Sequence, residues 1–213
     1  MRKYLAEGIG TFALVFFGTG AIVVNQEING IITNLGIAII FGLIVMVMIY
    51  SLGDISGAHL NPGVTIGFCF SGKFPLKEVL PYVVSELSGA IFASIVLKLL
   101  FPDNTVLGCT IPSGNVIQSF IVEFLLSFFL MFVILNVAHG SKEKGMFAGI
   151  AIGATVLIEA IFAGPISGAS MNPARSMGPA IITFHFQYLW IYILAPVLGV
   201  LIAVRIYKFI KPD

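Results

Sequence analysis

Six stretches of the chain, at 4–24, 31–52, 80–100, 116–138, 146–163 and 188–210, are almost continuously apolar. None shows the strict apolar–polar alternation of a strand in a barrel wall, and each is close to the roughly 20 residues a helix needs to cross bilayer hydrocarbon. Lipid offers no partners to backbone N–H and C=O groups, so spanning segments of this kind are helices. The pattern predicts an all-α membrane protein with six transmembrane helices. Polar or turn-rich breaks fall at 25–30, 102–114 and 139–145. Two other connections, 53–77 and 164–187, are different in kind, being long and still partly apolar.

Composition agrees with a lipid environment. The 213 residues are 58% hydrophobic and 10% charged, where a soluble domain carries about 25% charged residues. A net charge of +1 without a dense Lys/Arg cluster excludes nucleic-acid binding. Arg2 and Lys3 precede the first apolar run as they would in a signal peptide. That run contains Glu7 and lacks a cleavage site, so it reads as a retained first span. Cys69 and Cys109 have no metal-ligand spacing, and His59, His139 and His185 are scattered, so neither metal nor cofactor is expected.

With the N-terminus inside, one side of the membrane holds Arg2, Lys3, Lys73, Lys77, Lys142, Lys144, Arg205, Lys208 and Lys211, leaving Lys98 and Arg175 for the other. Cytoplasmic loops accumulate Lys and Arg. Both termini are therefore expected in the cytoplasm, as an even number of spans requires.

The two long connections contain the same segment. Ser56-Gly57-Ala58-His59-Leu60-Asn61-Pro62-Gly63 returns as Ser167-Gly168-Ala169-Ser170-Met171-Asn172-Pro173-Ala174, 111 residues later. Glu7-x-x-x-Thr11 in the first span is echoed by Glu123-x-x-x-Ser127 in the fourth, and Gly36-Ile37-Ala38 by Gly149-Ile150-Ala151. The chain reads as a single domain, 1–213, built of repeats 1–114 and 115–213. Each repeat has three spans, an odd number, so the second should run inverted through the membrane. Asn followed by Pro starts a helix: Asn caps it, and Pro is tolerated at the first position. Two re-entrant half-helices entering from opposite faces are thus predicted. Non-helical backbone at that depth persists only when buried in protein or lining a water-filled cavity. The expectation is a pore.

Across essentially the whole chain these residues resemble the aquaporin, or major intrinsic protein, family. The resemblance rests on the two Asn-Pro motifs, Ser-Gly-Ala-His-Leu-Asn-Pro, Asn172-Pro173-Ala174-Arg175-Ser176 and the Glu-x-x-x-Thr/Ser span openings. It implies a passive channel for water and small uncharged solutes that excludes ions and protons. It also implies a homotetramer with one pore per subunit, set in the lipid of the cell membrane. Asn61, Pro62, Gly63, Asn172, Pro173 and Ala174 would meet at its centre. Each half-helix N-terminus carries about half a positive charge, which repels cations. The Asn61 and Asn172 amides should donate to a passing water and interrupt proton hopping. Carbonyls of Gly57, Ala58, His59, Gly168, Ala169 and Ser170 should form a polar stripe opposite an apolar wall.

By the same resemblance the constriction consists of Phe41, Ala160, Ala169 and Arg175. Water-selective members carry His at the place of Ala160, and glycerol facilitators usually an aromatic at that of Ala169. Both are small here, which implies a wider opening than in a strict water channel. Ser176 and Ala180 look water-channel-like. Tyr192-Ile193 and the segment 163–171 resemble nodulin-like intrinsic proteins and their bacterial relatives, a group associated with glycerol, boric acid, silicic acid and arsenite. The expected function is conduction of water with small polyols or metalloid hydroxides; the alternative is a strict water channel.

Other residues have plainer readings. Glu7 and Glu123 are expected to accept hydrogen bonds from the re-entrant loops. Glu159 either lines the outer pore or is buried, and Glu86 is equally open. His59 should matter more for its carbonyl than its ring. His139 and His185 read as loop residues, and 139–145 as the place where a lid could form. Gly10, Gly89 and Gly199 permit close helix packing. Gly63 departs from the Asn-Pro-Ala pattern and removes a methyl where the motifs should touch.

An intramembrane protease needs a unique nucleophile paired with His, whereas Ser56 and Ser167 are duplicated. A proton-coupled transporter needs titratable groups along its path, and the motifs offer uncharged Asn. An adhesive or structural membrane role has little surface in a loop as short as 25–30. The chain is not expected to be an enzyme.

Overall fold

A computed structural model describes residues 1–138 and 145–211. Its main helices are α1 (Arg2–Glu27), α2 (Thr33–Ser56), α3 (Pro62–Ser71), α4 (Leu76–Leu100), α5 (Val116–Val137), α6 (Ala148–Ser167), α7 (Pro173–Thr183) and α8 (Ile191–Ile210). All but the short α3 and α7 are long and apolar enough to cross a membrane. No strand occurs among the described residues. His139, Lys142, Lys144 and the lid reading of their loop lie outside the described residues.

α2 and α6 run past their apolar stretches to Ser56 and Ser167, so the two long connections begin at Gly57 and Gly168 rather than at 53 and 164. Those glycines end the helices in the left-handed region, at φ +88° and +86°. Glycine has no Cβ to oppose that conformation, which makes it the usual residue just past a helix C-terminus.

The arrangement of side chains inverts that of a soluble protein. Exposed apolar residues recur every four positions, as Leu35, Ile39, Leu43 and Val47 on α2, Ile117, Ile121, Leu125 and Phe129 on α5, and Leu194, Leu198, Ile202 and Ile206 on α8. Each set forms one stripe along its helix. Polar residues go inside: Glu7, Thr11, Ser94, Ser119, Glu123 and Ser127 are fully buried.

Between helices in lipid there is no hydrophobic drive, and close backbone approach through small residues does the holding. A Cβ on Gly89 of α4 would lie 2.2 Å from the Gly8 carbonyl oxygen of α1, and one on Gly199 of α8 would lie 2.2 Å from that of Phe124 on α5. Gly42 of α2 and Gly153 of α6 abut in the same way, each within 2.7 Å of the other's carbonyl oxygen by the same measure. α1 contains a π-helical stretch, Leu14–Thr19. The Phe41 ring rests on Gly18 there, where a Cβ would meet its atoms at 2.3–2.7 Å.

Candidate functional site

The connections after α2 and α6 turn inward and meet. Asn61 caps α3 with its side-chain oxygen accepting from Gly63 N at 2.9 Å, and Pro62 takes the first helical position. Asn172 caps α7 through Ala174 N at 2.9 Å and Arg175 N at 3.3 Å, again followed by Pro. The amide nitrogens cross between the motifs. Asn61 Nδ2 donates to the Met171 carbonyl and Asn172 Nδ2 to the Leu60 carbonyl, both at 2.8 Å. Each amide keeps one further N–H for the cavity it borders.

One set of bonds holds each loop. Glu7 accepts from His59 N (3.0 Å) and Leu60 N (2.7 Å). Glu123 accepts from Ser170 N (2.9 Å), Met171 N (2.8 Å) and the Ser167 hydroxyl (2.7 Å). Ser56 Oγ accepts from Ala58 N at 3.1 Å and Ser167 Oγ from Ala169 N at 3.2 Å. Tyr82 and Tyr192 donate to the Ser56 and Ser167 carbonyls, at 2.9 and 2.7 Å.

These bonds fix where the carbonyls point. In a planar trans peptide the N–H of one residue and the C=O of the residue before it are antiparallel. With the amides of Ala58, His59 and Leu60 turned to Ser56 and Glu7, the carbonyls of Gly57, Ala58 and His59 face the other way. The second loop does the same to the carbonyls of Gly168, Ala169 and Ser170. Matching left-handed residues produce this shape, Ala58 (φ 47°) and Leu60 (φ 53°) against Ala169 (φ 42°) and Met171 (φ 53°).

A cavity of about 110 Å³ runs beside the two loops. Gly57 to Asn61, Ala169 to Asn172 and Arg175 form one wall. The facing wall is apolar: Val45 and Ile49 of α2, Leu130 and Ile134 of α5, Ile152 and Val156 of α6. It adjoins a wider space of about 520 Å³ that shares Ile49, Gly57, His59, Phe68, Ala138 and Ala148. The smaller cavity alone has room for more than one water, each needing about 30 Å³ in the liquid.

Phe41 borders the cavity with Arg175, whose guanidinium sits 5.5 Å from the Phe41 ring centroid. Arg175 is only 1% exposed and donates through Nη1 to the Gly108 carbonyl at 2.9 Å. Of the residues expected at the constriction and among the pore carbonyls, Ala160 and Gly168 do not line the cavity, and of the two motifs only Asn61 and Asn172 do. Ala160 is buried in the same apolar cluster as Phe41 and Ala169, one turn beyond the lining residue Val156. Glu159 borders a groove between α5 and α6, with Leu125, Phe129 and Phe162, rather than the central cavity.

The His59 ring packs against Phe68, Phe74 and Tyr82 with centroids 4.7 to 5.1 Å apart. The Thr65 hydroxyl links the His59 ring, at 2.9 Å from Nδ1, to the Glu86 carboxyl at 2.7 Å. Glu86 thus braces the base of the first loop. Sequence reasoning misses Tyr82, Gly18 and Gly108, and takes Tyr192 only as a mark of resemblance. The two tyrosines stand 110 residues apart, one short of the motif spacing, so a repeat search allowing a one-residue slip finds them.

Polar backbone confronting an apolar wall, with helix N-termini at its middle and lipid-facing stripes outside, defines a membrane channel protein. The family model described as major intrinsic protein matches residues 1–207. Nodulin-26 of Glycine max is 47% identical over 99% of this chain and 78% of its own length. Aquaporin NIP1-2 of Arabidopsis thaliana is 46% identical over 99% and 74%. The X-ray structure of the aquaglyceroporin from Plasmodium falciparum superposes with a TM-score of 0.85 at 28% identity, covering 99% of this chain and 97% of that one. The chain belongs to the major intrinsic protein family. It is a channel for water and small solutes, not an enzyme.

Proposed function

We propose that the cavity conducts water together with small uncharged solutes of the glycerol, boric acid and arsenous acid kind, and excludes ions and protons. The observation that carries this reading is that Phe41 and Arg175 share the cavity with Ala169, and Phe41 a buried cluster with Ala160, two residues that end at a methyl. Arg175 and Phe41 supply polar and flat apolar surfaces for a hydroxylated solute, and the alanines leave it width. Asn61 and Asn172, each with one amide N–H fixed across the motif, orient the solute with the other. The carbonyls of the lining residues Gly57, Ala58, His59, Ala169 and Ser170 replace part of its hydration shell. The aquaporin relatives and the aquaglyceroporin structure support the coarser reading of a channel for water and small solutes.

Reconstituted vesicles test it. Shrinkage under an impermeant osmolyte and glycerol entry should both be faster than in bare lipid. Ala160→His, which extends a ring toward the Arg175 side, should keep water flow. Glycerol entry should fall by about tenfold or more, the effect of a barrier raised by about 1.4 kcal/mol. Fast water flow with no glycerol, boric acid or arsenous acid entry in the wild type would leave only a strict water channel.

We place this activity in a single domain of two inverted repeats, 1–114 and 115–213, assembled as a homotetramer in the cell membrane with cytoplasmic termini. Supporting the orientation, Lys73 Nζ contacts the Tyr207 hydroxyl, Lys208 Nζ the Phe70 carbonyl, and Lys3 Nζ bonds Glu78 at 2.9 Å. These contacts gather cations beside both described ends of the chain, while Lys98 caps the opposite end of α4.

Gly63→Ala should be tolerated. The added methyl would sit 3.8 Å from Pro173 Cδ and Val200 Cγ2, ordinary contact, and 3.2 Å from Asn61 Oδ1. Water permeability within about twofold of wild type is expected, since a compatible Gly→Ala change is worth only about 0.4–1 kcal/mol. A folded but dead variant would show that the motifs do not meet as described.

A further inference from the structure

The segment between α4 and α5 reaches Arg175 from above, and a small set of side chains holds it in shape. Lys98 Nζ donates to the carbonyls of Pro102 (2.8 Å) and Asn104 (2.9 Å). The Asn104 side-chain oxygen accepts from Val106 N (3.2 Å) and Leu107 N (2.7 Å), closing a tight turn. Its amide nitrogen donates to Gln26 Oε1 (3.2 Å) and Glu27 Oε1 (2.9 Å) at the end of α1. Both N–H groups and both lone-pair directions of the Asn104 side chain are thereby used, and the residue is 9% exposed.

The turn fixes the residues on its far side. Leu107 plugs between Val23 and Leu97 and is fully buried, in a left-handed conformation (φ 47°) that Leu adopts only under constraint. Gly108 comes next at φ 65°, pressed so near Thr19 that a Cβ would meet its methyl at 2.8 Å. Its carbonyl is the acceptor for Arg175 Nη1. Beyond it, Thr110 donates to Ser176 Oγ at 2.8 Å, tying the segment to the helix that carries Arg175.

We propose that Asn104, with Lys98, is a positioning residue for solute selection: it aims the Gly108 carbonyl that holds the Arg175 guanidinium against the cavity wall. The inference rests on the reading of Arg175 as a constriction residue. Without the turn, Gly108 O drifts from Nη1, and a buried guanidinium deprived of its acceptor turns to the lumen. That narrows the path for a polyol more than for water.

The test is a double-mutant cycle on the glycerol-to-water permeability ratio in vesicles. Asn104→Ala should lower the ratio by about threefold or more, the lower end of coupling between residues in one network. In an Arg175→Ala background the same change should leave the ratio unmoved. A merely structural role lowers both permeabilities together and leaves the ratio alone in either background. An unchanged ratio in Asn104→Ala, or an equal fall in both backgrounds, overturns the proposal.

Should the alanine variant not reconstitute, Asn104→Asp takes its place. It keeps the turn acceptors but sets a carboxylate against Glu27, so the ratio should fall. Adding Glu27→Gln returns a donor to the pair and should restore the ratio; failure to restore it counts against the proposal. Wild-type vesicles no faster than bare lipid would sink the channel reading itself, whereas fast wild-type conduction with an insensitive ratio sinks only the positioning role.

Discussion

Replacing Glu123 by alanine should abolish conduction while leaving most helix intact. The carboxylate is the acceptor for Ser170 N, Met171 N and the Ser167 hydroxyl, and all of these are buried. Each buried donor left without a partner costs about 1–3 kcal/mol, so the second loop cannot keep its left-handed turns. Once it relaxes, the carbonyls of Gly168, Ala169 and Ser170 no longer face the cavity. Vesicle shrinkage should fall to that of bare lipid, with far-ultraviolet circular dichroism near wild type. Glu123→Gln retains one acceptor oxygen but sets an NH₂ against a donor, so it should recover only part of the flow. A fully active Glu123→Ala protein would mean that the loop is held by something else. Glu7→Ala strips the first loop of the matching set, His59 N, Leu60 N and the Ser56 hydroxyl, and should be comparably severe.

The second large effect is expected from a single methyl. Gly199→Ala places a Cβ 2.2 Å from the Phe124 carbonyl oxygen and 3.0 Å from Phe128 N. Both obstacles are helix backbone, which cannot swing aside as a side chain does. α5 and α8 must separate, and overpacking of this kind costs about 1–3 kcal/mol or more. Gly89→Ala meets the Gly8 carbonyl at the same distance and should behave alike. Yield of monodisperse protein and thermal unfolding in detergent measure the loss. Gly53→Ala is the control, because nothing lies within 4 Å of its added carbon and alanine favours helix. Equal stability of the Gly199 and Gly53 variants would contradict the close crossing.

The six spans and the two short helices are legible in the chain because lipid leaves the backbone few choices. Apolar length specifies a crossing, and Asn followed by Pro specifies a helix start. Less legible is whatever depends on how distant segments meet. The resemblance puts Ala160 at the constriction, yet it is not among the residues that line the cavity, which spacing along the chain does not reveal. Glu159, open in the sequence between the outer pore and the interior, borders the α5–α6 groove. Nothing along the chain marks Gly18, on which the Phe41 ring rests. The importance of Asn104 comes from a turn whose partners, Gln26 and Glu27, sit on another helix. Tyr82 and Tyr192 perform one task twice, but the one-residue slip in their spacing hides the correspondence.

The crossed amides bear on how such a chain is made. Asn61 needs the Met171 carbonyl and Asn172 needs that of Leu60, so a ribosome that has delivered only the first three crossings has produced an unfinished centre. The Asn61 amide has no acceptor there until Met171, 110 residues further along the chain, has arrived. The conduit cannot be assembled from its front end. Arrival of the last re-entrant segment completes both halves at once, and any truncation before it should leave a membrane-inserted but unlocked polypeptide, open to quality-control proteolysis.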